Sequence, residues 1–307
     1  MKTVRKSVAH ATKYIASNEA EILLAHLLNT SREFIIAHPE SSVPAWTYLQ
    51  FVWFIKKRSK GMPLAYLVNH KEFYGLDFDV NRSTLIPRPE TELLVDLALK
   101  EIEDTTQKHI TLIDVGTGSG CIPIAIGKNV TSQPQLLVFA SDVSKSALRL
   151  AKKNAVRHQI SINFLHGHLL QPVAKKDSAL FNRPKGTLII TANLPYLTQE
   201  QRDTEPSIRY EPHSALVADD KGLQLYKELL QHIKKYCDPQ KSVTTFFEID
   251  PSQSAVLSSY IKSVFPHAVV KVHTDLAGRS RAVQVHLFPH IYSGAAHRSP
   301  DQNQGEI

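Results

Sequence analysis

The chain has 307 residues, 42% of them hydrophobic, and a formal charge of +7, enough apolar material for a full-size core and too much for disorder to be the default. No apolar run approaches the roughly 20 residues that cross a bilayer, so a membrane protein is excluded from the reading. Two cysteines, Cys121 and Cys237, lie far apart without C-x-x-C spacing, which gives neither a disulfide framework nor a zinc site and fits the reducing cytoplasm.

The basic start, Met1 to Ser17, has no acids before Glu19 but runs straight into a helical pattern and lacks a secretory apolar region, so it reads as domain rather than leader. From Ala20 the residues Ile22, Leu23, Leu24, Leu27 and Leu28 recur at helical intervals, and Phe34, Ile35, Trp46, Leu49, Phe51, Val52 and Phe54 continue the pattern. Ser31 is placed to cap one helix and Pro44 to open another. Residues up to about 60 therefore predict a small helical bundle. Alternation over Lys71 to Val80 predicts a hairpin that joins the bundle to the remainder of the chain.

Beyond it, apolar strand-like runs alternate with helical segments: 111–115, 135–141, 162–166, 187–191, 244–249 and 269–273, with a last alternating strand over 281–287. That order predicts a mostly parallel α/β sheet, Rossmann-like, with helices on both faces. The organisation expected is a helical domain with its hairpin over 1–80, a catalytic domain over 81–288, and a tail without apolar period, and so without order, over 289–307.

Two motifs carry chemistry. Asp114-Val115-Gly116-Thr117-Gly118-Ser119-Gly120 follows a buried strand and opens a helix, the strand-end position at which open α/β sheets bind ligands. Its glycines let backbone N–H groups come close to a ligand. The dinucleotide fingerprint is G-x-G-x-x-G, whereas here the third glycine follows the second by two residues; D-x-G-x-G-x-G resembles the first motif of S-adenosylmethionine methyltransferases. Asp142 ends the second strand, where an acid accepts hydrogen bonds from ribose hydroxyls; its alternative role is an N-cap for the helix over 144–154. Cys121 reads as core.

Asn193-Leu194-Pro195-Tyr196 follows the strand 187–191 at the same sheet edge. The pattern suits methylation of a planar amide or amine nitrogen. An amide lone pair is delocalised, as the ~18–20 kcal/mol barrier to C–N rotation indicates, so transfer requires acceptors that hold both N–H groups. The Asn193 side-chain oxygen and the Leu194 carbonyl are the candidates; Pro195 biases Leu194 to extended geometry and Tyr196 offers a flat face. No metal is called for: the fifteen histidines form no ligand spacing, His166 and His168 included.

Together with residues 19–40, the segment 61–99 that contains Leu85-Ile86-Pro87-Arg88-Pro89-Glu90-Thr91-Glu92, and Asp275-Leu276-Ala277-Gly278-Arg279, these motifs make the chain resemble the HemK/PrmC family of release factor glutamine methyltransferases over nearly all of 18–286. Glu211-Pro212, Ala215-Leu216, Gly222-Leu223, Tyr226 and Glu248 extend the match. The resemblance implies S-adenosylmethionine as cofactor and, as substrate, the glutamine of the Gly-Gly-Gln loop of peptide-chain release factors, engaged partly by the N-terminal helical domain. It implies that Gly116, Thr117, Gly118, Ser119, Gly120, Asp142, Leu169 and Asn193 serve the cofactor, and Asn193, Leu194, Pro195 and Tyr196 the amide.

Three departures stand out. Leu194 replaces the usual proline, removing a φ lock and adding a backbone donor. His168 replaces an acid that commonly lies near the adenine, leaving Leu169 to pack against the base. The tail lies outside the resemblance. Two other functions remain: an RNA adenine amino-methyltransferase, whose acceptor motif also resembles Asn-Leu-Pro-Tyr, and a non-catalytic binding module of the same fold. Basic residues are scattered rather than gathered, so nucleic-acid binding is not required.

Overall fold

A computed structural model describes residues 2–131, 135–182, 186–239 and 241–287; the tail expected to lack order lies outside them. Helices α1 (Val4–Ala11), α2 (Ser17–Leu28), α3 (Arg32–Ala37), α4 (Ala45–Arg58) and α5 (Leu64–Val68) form the N-terminal bundle. It closes on its own core of Leu23, Leu24, Ile35, Phe51 and Ile55. Ser31 caps α3 by accepting from Phe34 N, and Pro44 stands at the cap of α4, as their residue types dictate. A two-residue pairing of β1 (Lys2–Thr3) with β2 (Ser42–Val43) was not expected, since pairs this short carry no alternation to read.

Strands β3 (His70–Phe73) and β4 (Leu76–Asp79) form the hairpin. The larger unit comes next: β5 (His109–Val115), β6 (Gln135–Asp142), β7 (Asn163–His166), β8 (Thr187–Ala192), β9 (Val243–Glu248), β10 (Val269–Thr274) and β11 (Ser280–Leu287) make a seven-stranded sheet of order β10-β11-β9-β8-β5-β6-β7. Five strands are parallel, and the β10–β11 hairpin runs antiparallel at one side. The helices between them are α6 (Glu92–Asp104), α7 (Cys121–Asn129), α8 (Lys145–His158), α9 (Gln171–Lys176), α10 (Gln199–Thr204), the turn α11 (Asp219–Gly222), α12 (Gln224–Tyr236) and α13 (Ser254–Val264).

Every residue of β8 and β9 is buried, which is why they read as continuous apolar runs. Their side chains alternate between two cores. Leu188, Ile190 and Phe247 pack with Leu229 and Leu230 of α12, while Ile189 and Phe246 pack with Leu94 and Ala98 of α6, as a two-residue period requires.

The hairpin is locked to the larger unit by Asn154 of α8, fully buried. Its amide accepts from Asp79 N (2.9 Å) and donates to Asp79 O (3.0 Å) and Ser119 O (2.9 Å).

Candidate active site

β5 pairs with both β6 and β8 in parallel, so the turns after these strands emerge side by side. They open a cleft of about 440 Å³ lined by Gly116, Gly118, Asp142, Leu169, Asn193 and Leu194, among others. The volume lies in the range of small-molecule sites. The glycine loop and the acceptor tetrapeptide thus share one edge of the sheet and one cavity.

All three loop glycines have positive φ, but they do three things. At Gly116 a Cβ would stand 2.8 Å from Leu194 Cδ2, so its bareness admits the acceptor motif. At Gly120 a Cβ would press on Ile124 and Ala151, so this residue, behind the cleft, seats α7 on α8. At Gly118 (φ +55°) a Cβ would meet nothing within 4 Å; that space belongs to the cleft. The loop's N–H groups are largely spent internally, contrary to expectation. Those of Gly116 and Thr117 go to Ser141 O, that of Gly120 to Thr117 O, and that of Gly118 to Asp142 Oδ2 at 2.9 Å.

Asp142 also accepts from Ser144 N at 2.8 Å, and the helix cap itself is Ser144, which takes Ala147 N. Burial raises the Asp142 carboxyl above the ordinary range, against the bonds from Ser144 and Gly118. Each oxygen keeps further acceptor capacity. Leu169 is buried yet held at φ +47°, while its carbonyl takes Ser141 Oγ (2.8 Å). A left-handed leucine is costly and such residues concentrate at functional sites. Its neighbour His168 contacts Glu228 Oε2 of α12 at 2.7 Å, so a carboxylate does reach this wall, from another element.

Beneath the loop, Asp114 accepts from Thr191 Oγ1 at 2.7 Å with one oxygen only; its Oδ2 and Thr117 Oγ1 are buried without partners. Burial raises this carboxyl to about 6. Cys121 is core: burial pushes its thiol to about 12, far from a nucleophile.

The acceptor side is built from behind. Asn193 Nδ2 donates to Glu248 Oε2 (2.8 Å) and to Thr91 Oγ1 (3.1 Å). Both amide hydrogens are occupied, so the oxygen is what Asn193 has to offer. Leu194 is buried; its N–H, the donor a proline would lack, goes to Tyr226 Oη at 3.2 Å. The Tyr226 hydroxyl makes a very short contact with Glu248 O and lies 3.4 Å from the Leu194 carbonyl, whose second lone pair keeps the capacity to accept. Pro195 lines the cleft and Tyr196 does not: its hydroxyl donates to Glu248 Oε1 (3.2 Å) and its carbonyl accepts from Gln253 Nε2 (2.7 Å). The flat face expected at the amide is a rear anchor instead. Gly222 has to be bare, because a Cβ there would lie 1.9 Å from Tyr196 O.

Glu248, 1% exposed, is therefore the hub that grips both Asn193 and Tyr196. Burial raises its carboxyl above the ordinary range. The motif reading gave it no role, although an acid ending the run Thr244-Thr245-Phe246-Phe247 was its visible sign. The Pro-Arg-Pro-Glu-Thr-Glu segment proves to be a wall of the site. Arg88 pairs with buried Glu211, which also takes Ile86 N at 3.0 Å; Thr91 holds Asn193; and Glu92 takes Tyr74 N at 2.9 Å.

Residues 4–68 match the family described as PrmC N-terminal domain, and residues 94–189 the one described as Ribosomal protein L11 methyltransferase (PrmA). The chain is 32% identical over 269 residues to the release factor glutamine methyltransferase of Bacillus anthracis, covering 87% of this chain and 91% of that one. To the protein of that name from Enterococcus faecalis it is 38% identical over 221 residues, covering 71% and 74%. In fold it is similar to the hMettl16 catalytic domain solved with an RNA hairpin, at a TM-score of 0.52 and 15% identity over 87% of this chain and 91% of that one.

Proposed function

From the premise that this chain belongs to the release factor glutamine methyltransferases, we propose that it methylates the side-chain amide of the glutamine in the Gly-Gly-Gln loop of a peptide-chain release factor, using S-adenosylmethionine held against the glycine loop. Asn193 carries the reading: its two N–H groups are engaged by Glu248 and Thr91, which commits its oxygen to a substrate N–H.

The cleft suits that cofactor on two counts. Gly118 leaves room where a side chain would intrude. Asp142 keeps acceptor capacity for vicinal hydroxyls. When bound, S-adenosylmethionine supplies an electrophilic methyl group on a sulfonium.

The protein's part is alignment. Asn193 Oδ1 takes one N–H of the glutamine amide and the Leu194 carbonyl takes the other, so the nitrogen lone pair is turned out of conjugation and the positive charge it gains is stabilised. Glu248, Thr91, Tyr226 and Gln253 do not touch the amide in this scheme; they hold the acceptors still, and alignment is worth up to roughly 7–11 kcal/mol in favourable cases. The methylated nitrogen is strongly acidic and loses its proton to water, so no dedicated base is needed. The N-terminal unit, with a boundary near residue 80, engages the body of the release factor in this reading, which sets the enzyme in the cytoplasm.

The test is mass spectrometry of the release factor's Gly-Gly-Gln peptide after incubation with labelled cofactor, with ribosomal RNA as the parallel substrate. A gain of one methyl on glutamine is expected with wild type, and a gain slower by ~10²–10³-fold with Asn193→Ala. Label on RNA alone overturns the reading.

A further inference from the structure

β11 runs antiparallel to β9, with Ala282 opposite Glu248 and Ile249 N bonded to Arg281 O at 2.9 Å. The turn 275–279 that precedes β11 therefore stands over the carboxyl end of β9, the edge from which Glu248 grips Asn193 and Tyr196. This turn is fastened with unusual care for an exposed loop. The Asp275 carboxylate accepts from Ala277 N (2.9 Å), Arg279 N (2.9 Å), Arg279 Nε (3.1 Å) and Arg281 Nε (3.0 Å). Backbone bonds join Asp275 N to Arg279 O and Gly278 N to Asp275 O, both at 2.9 Å. At its summit is Leu276, 111% exposed, where the next most exposed large apolar side chain among the described residues, Val156, reaches 79%.

Single apolar residues on a surface are ordinary and need no purpose. What sets Leu276 apart is that an internally bonded turn presents it fully to water at the sheet edge that carries Glu248. A glutamine that follows two glycines offers an enzyme no neighbouring side chain to read, so selectivity has to come from contacts outside the tripeptide. A preformed apolar tip meets that need without an ordering cost on binding.

Resting on the substrate reading above, we infer that Leu276 is a docking residue for the folded release factor: the turn 275–279 seats it in an apolar hollow beside the Gly-Gly-Gln loop, and its contact sets KM for the protein substrate. It touches neither cofactor nor amide. Leu276→Asp is the direct test. The expected result is a rise of at least tenfold in KM for the intact release factor, with kcat, the cofactor dissociation constant from calorimetry and the melting temperature unchanged.

A second variant, Leu276→Cys, reads proximity. Both native cysteines are buried, so a photoactivatable maleimide on the new thiol is expected to crosslink to the release factor and to yield one dominant crosslinked peptide near its Gly-Gly-Gln loop. An unchanged KM in Leu276→Asp, a fall confined to kcat, or no crosslink overturns the docking role while wild-type methylation leaves the enzyme's function standing. No methylation by wild type overturns both.

Discussion

The glycine loop and the acceptor tetrapeptide end adjacent strands and line the same cleft, yet they are made differently. The loop is local: Gly116, Gly118 and Gly120 shape it, and Ser141 and Asp142 of the neighbouring strand use up its N–H groups. The acceptor side is assembled from across the chain, with Thr91, Tyr226 and Gln253 each fixing one atom of residues 193–196 and Glu248 fixing two. Binding a cofactor asks for room and a few acceptors. Holding an amide in line for attack asks for acceptors that do not move, and immobility is supplied from behind.

The comparison predicts that damage on one side leaves the other working. Asn193→Ala removes an acceptor that acts at the transition state, so kcat is expected to fall by ~10²–10³ with cofactor affinity retained, the scale seen when one such group is lost; calorimetry beside steady-state rates checks the split. Glu248→Ala removes both acceptor oxygens, so neither Asn193 Nδ2 nor the Tyr196 hydroxyl is held. With the acceptors displaced, kcat is expected to drop on the order of 10²-fold, again without loss of cofactor binding. A matching loss of cofactor affinity in either variant would break the division.

Gly118→Ala tests the other side. The left-handed φ of +55° costs a side chain ~1–2 kcal/mol, and the added methyl enters open cleft. That strain is present with and without cofactor and so lowers stability; the methyl, which takes cofactor space, is what raises the cofactor dissociation constant, by about tenfold, while kcat at saturating cofactor stays near wild type.

The smallest effect is on stability. Asp114 has its carboxyl raised by burial to about 6 from an ordinary 3.8. A carboxyl raised on folding supports the fold while protonated; that support is complete below the unfolded value and fades as pH rises through the folded one. The cofactor-free protein is thus expected to lose about 1 kcal/mol through this group alone between roughly pH 5 and pH 7. Asp142 and Glu248, also raised, act in the same sense. Asp114→Asn isolates the first contribution: its denaturation midpoint should change less across that range than wild type's.

Legibility in the sequence divides along the same line. Strand limits were legible within a residue or two because buried parallel strands are uninterrupted apolar runs, and the glycine loop was legible because its shape is written in consecutive residues. The tetrapeptide was legible as a motif, but its supports were not: Thr91 and Asn193 are 102 positions apart, and nothing local at Tyr226 announces that its hydroxyl serves Leu194 N–H. That bond also explains how leucine is accommodated where the family usually has proline, since the extra donor has a partner waiting. The bond from the Tyr196 hydroxyl to Glu248 was not legible, because a tetrapeptide does not say which of its side chains face inward.

The Asn154 bridge between Asp79 and Ser119 has a consequence for how such a chain can diverge. Its amide reads only main-chain atoms of residue 79, which every amino acid except proline supplies. That bond is therefore indifferent to the side chain at residue 79, whereas the apolar part of the same seam is not: Phe73 and Phe78 are buried in one core with Leu94 and Ile122, so the pocket tolerates change on the outer surface of the helical unit but not at these two rings.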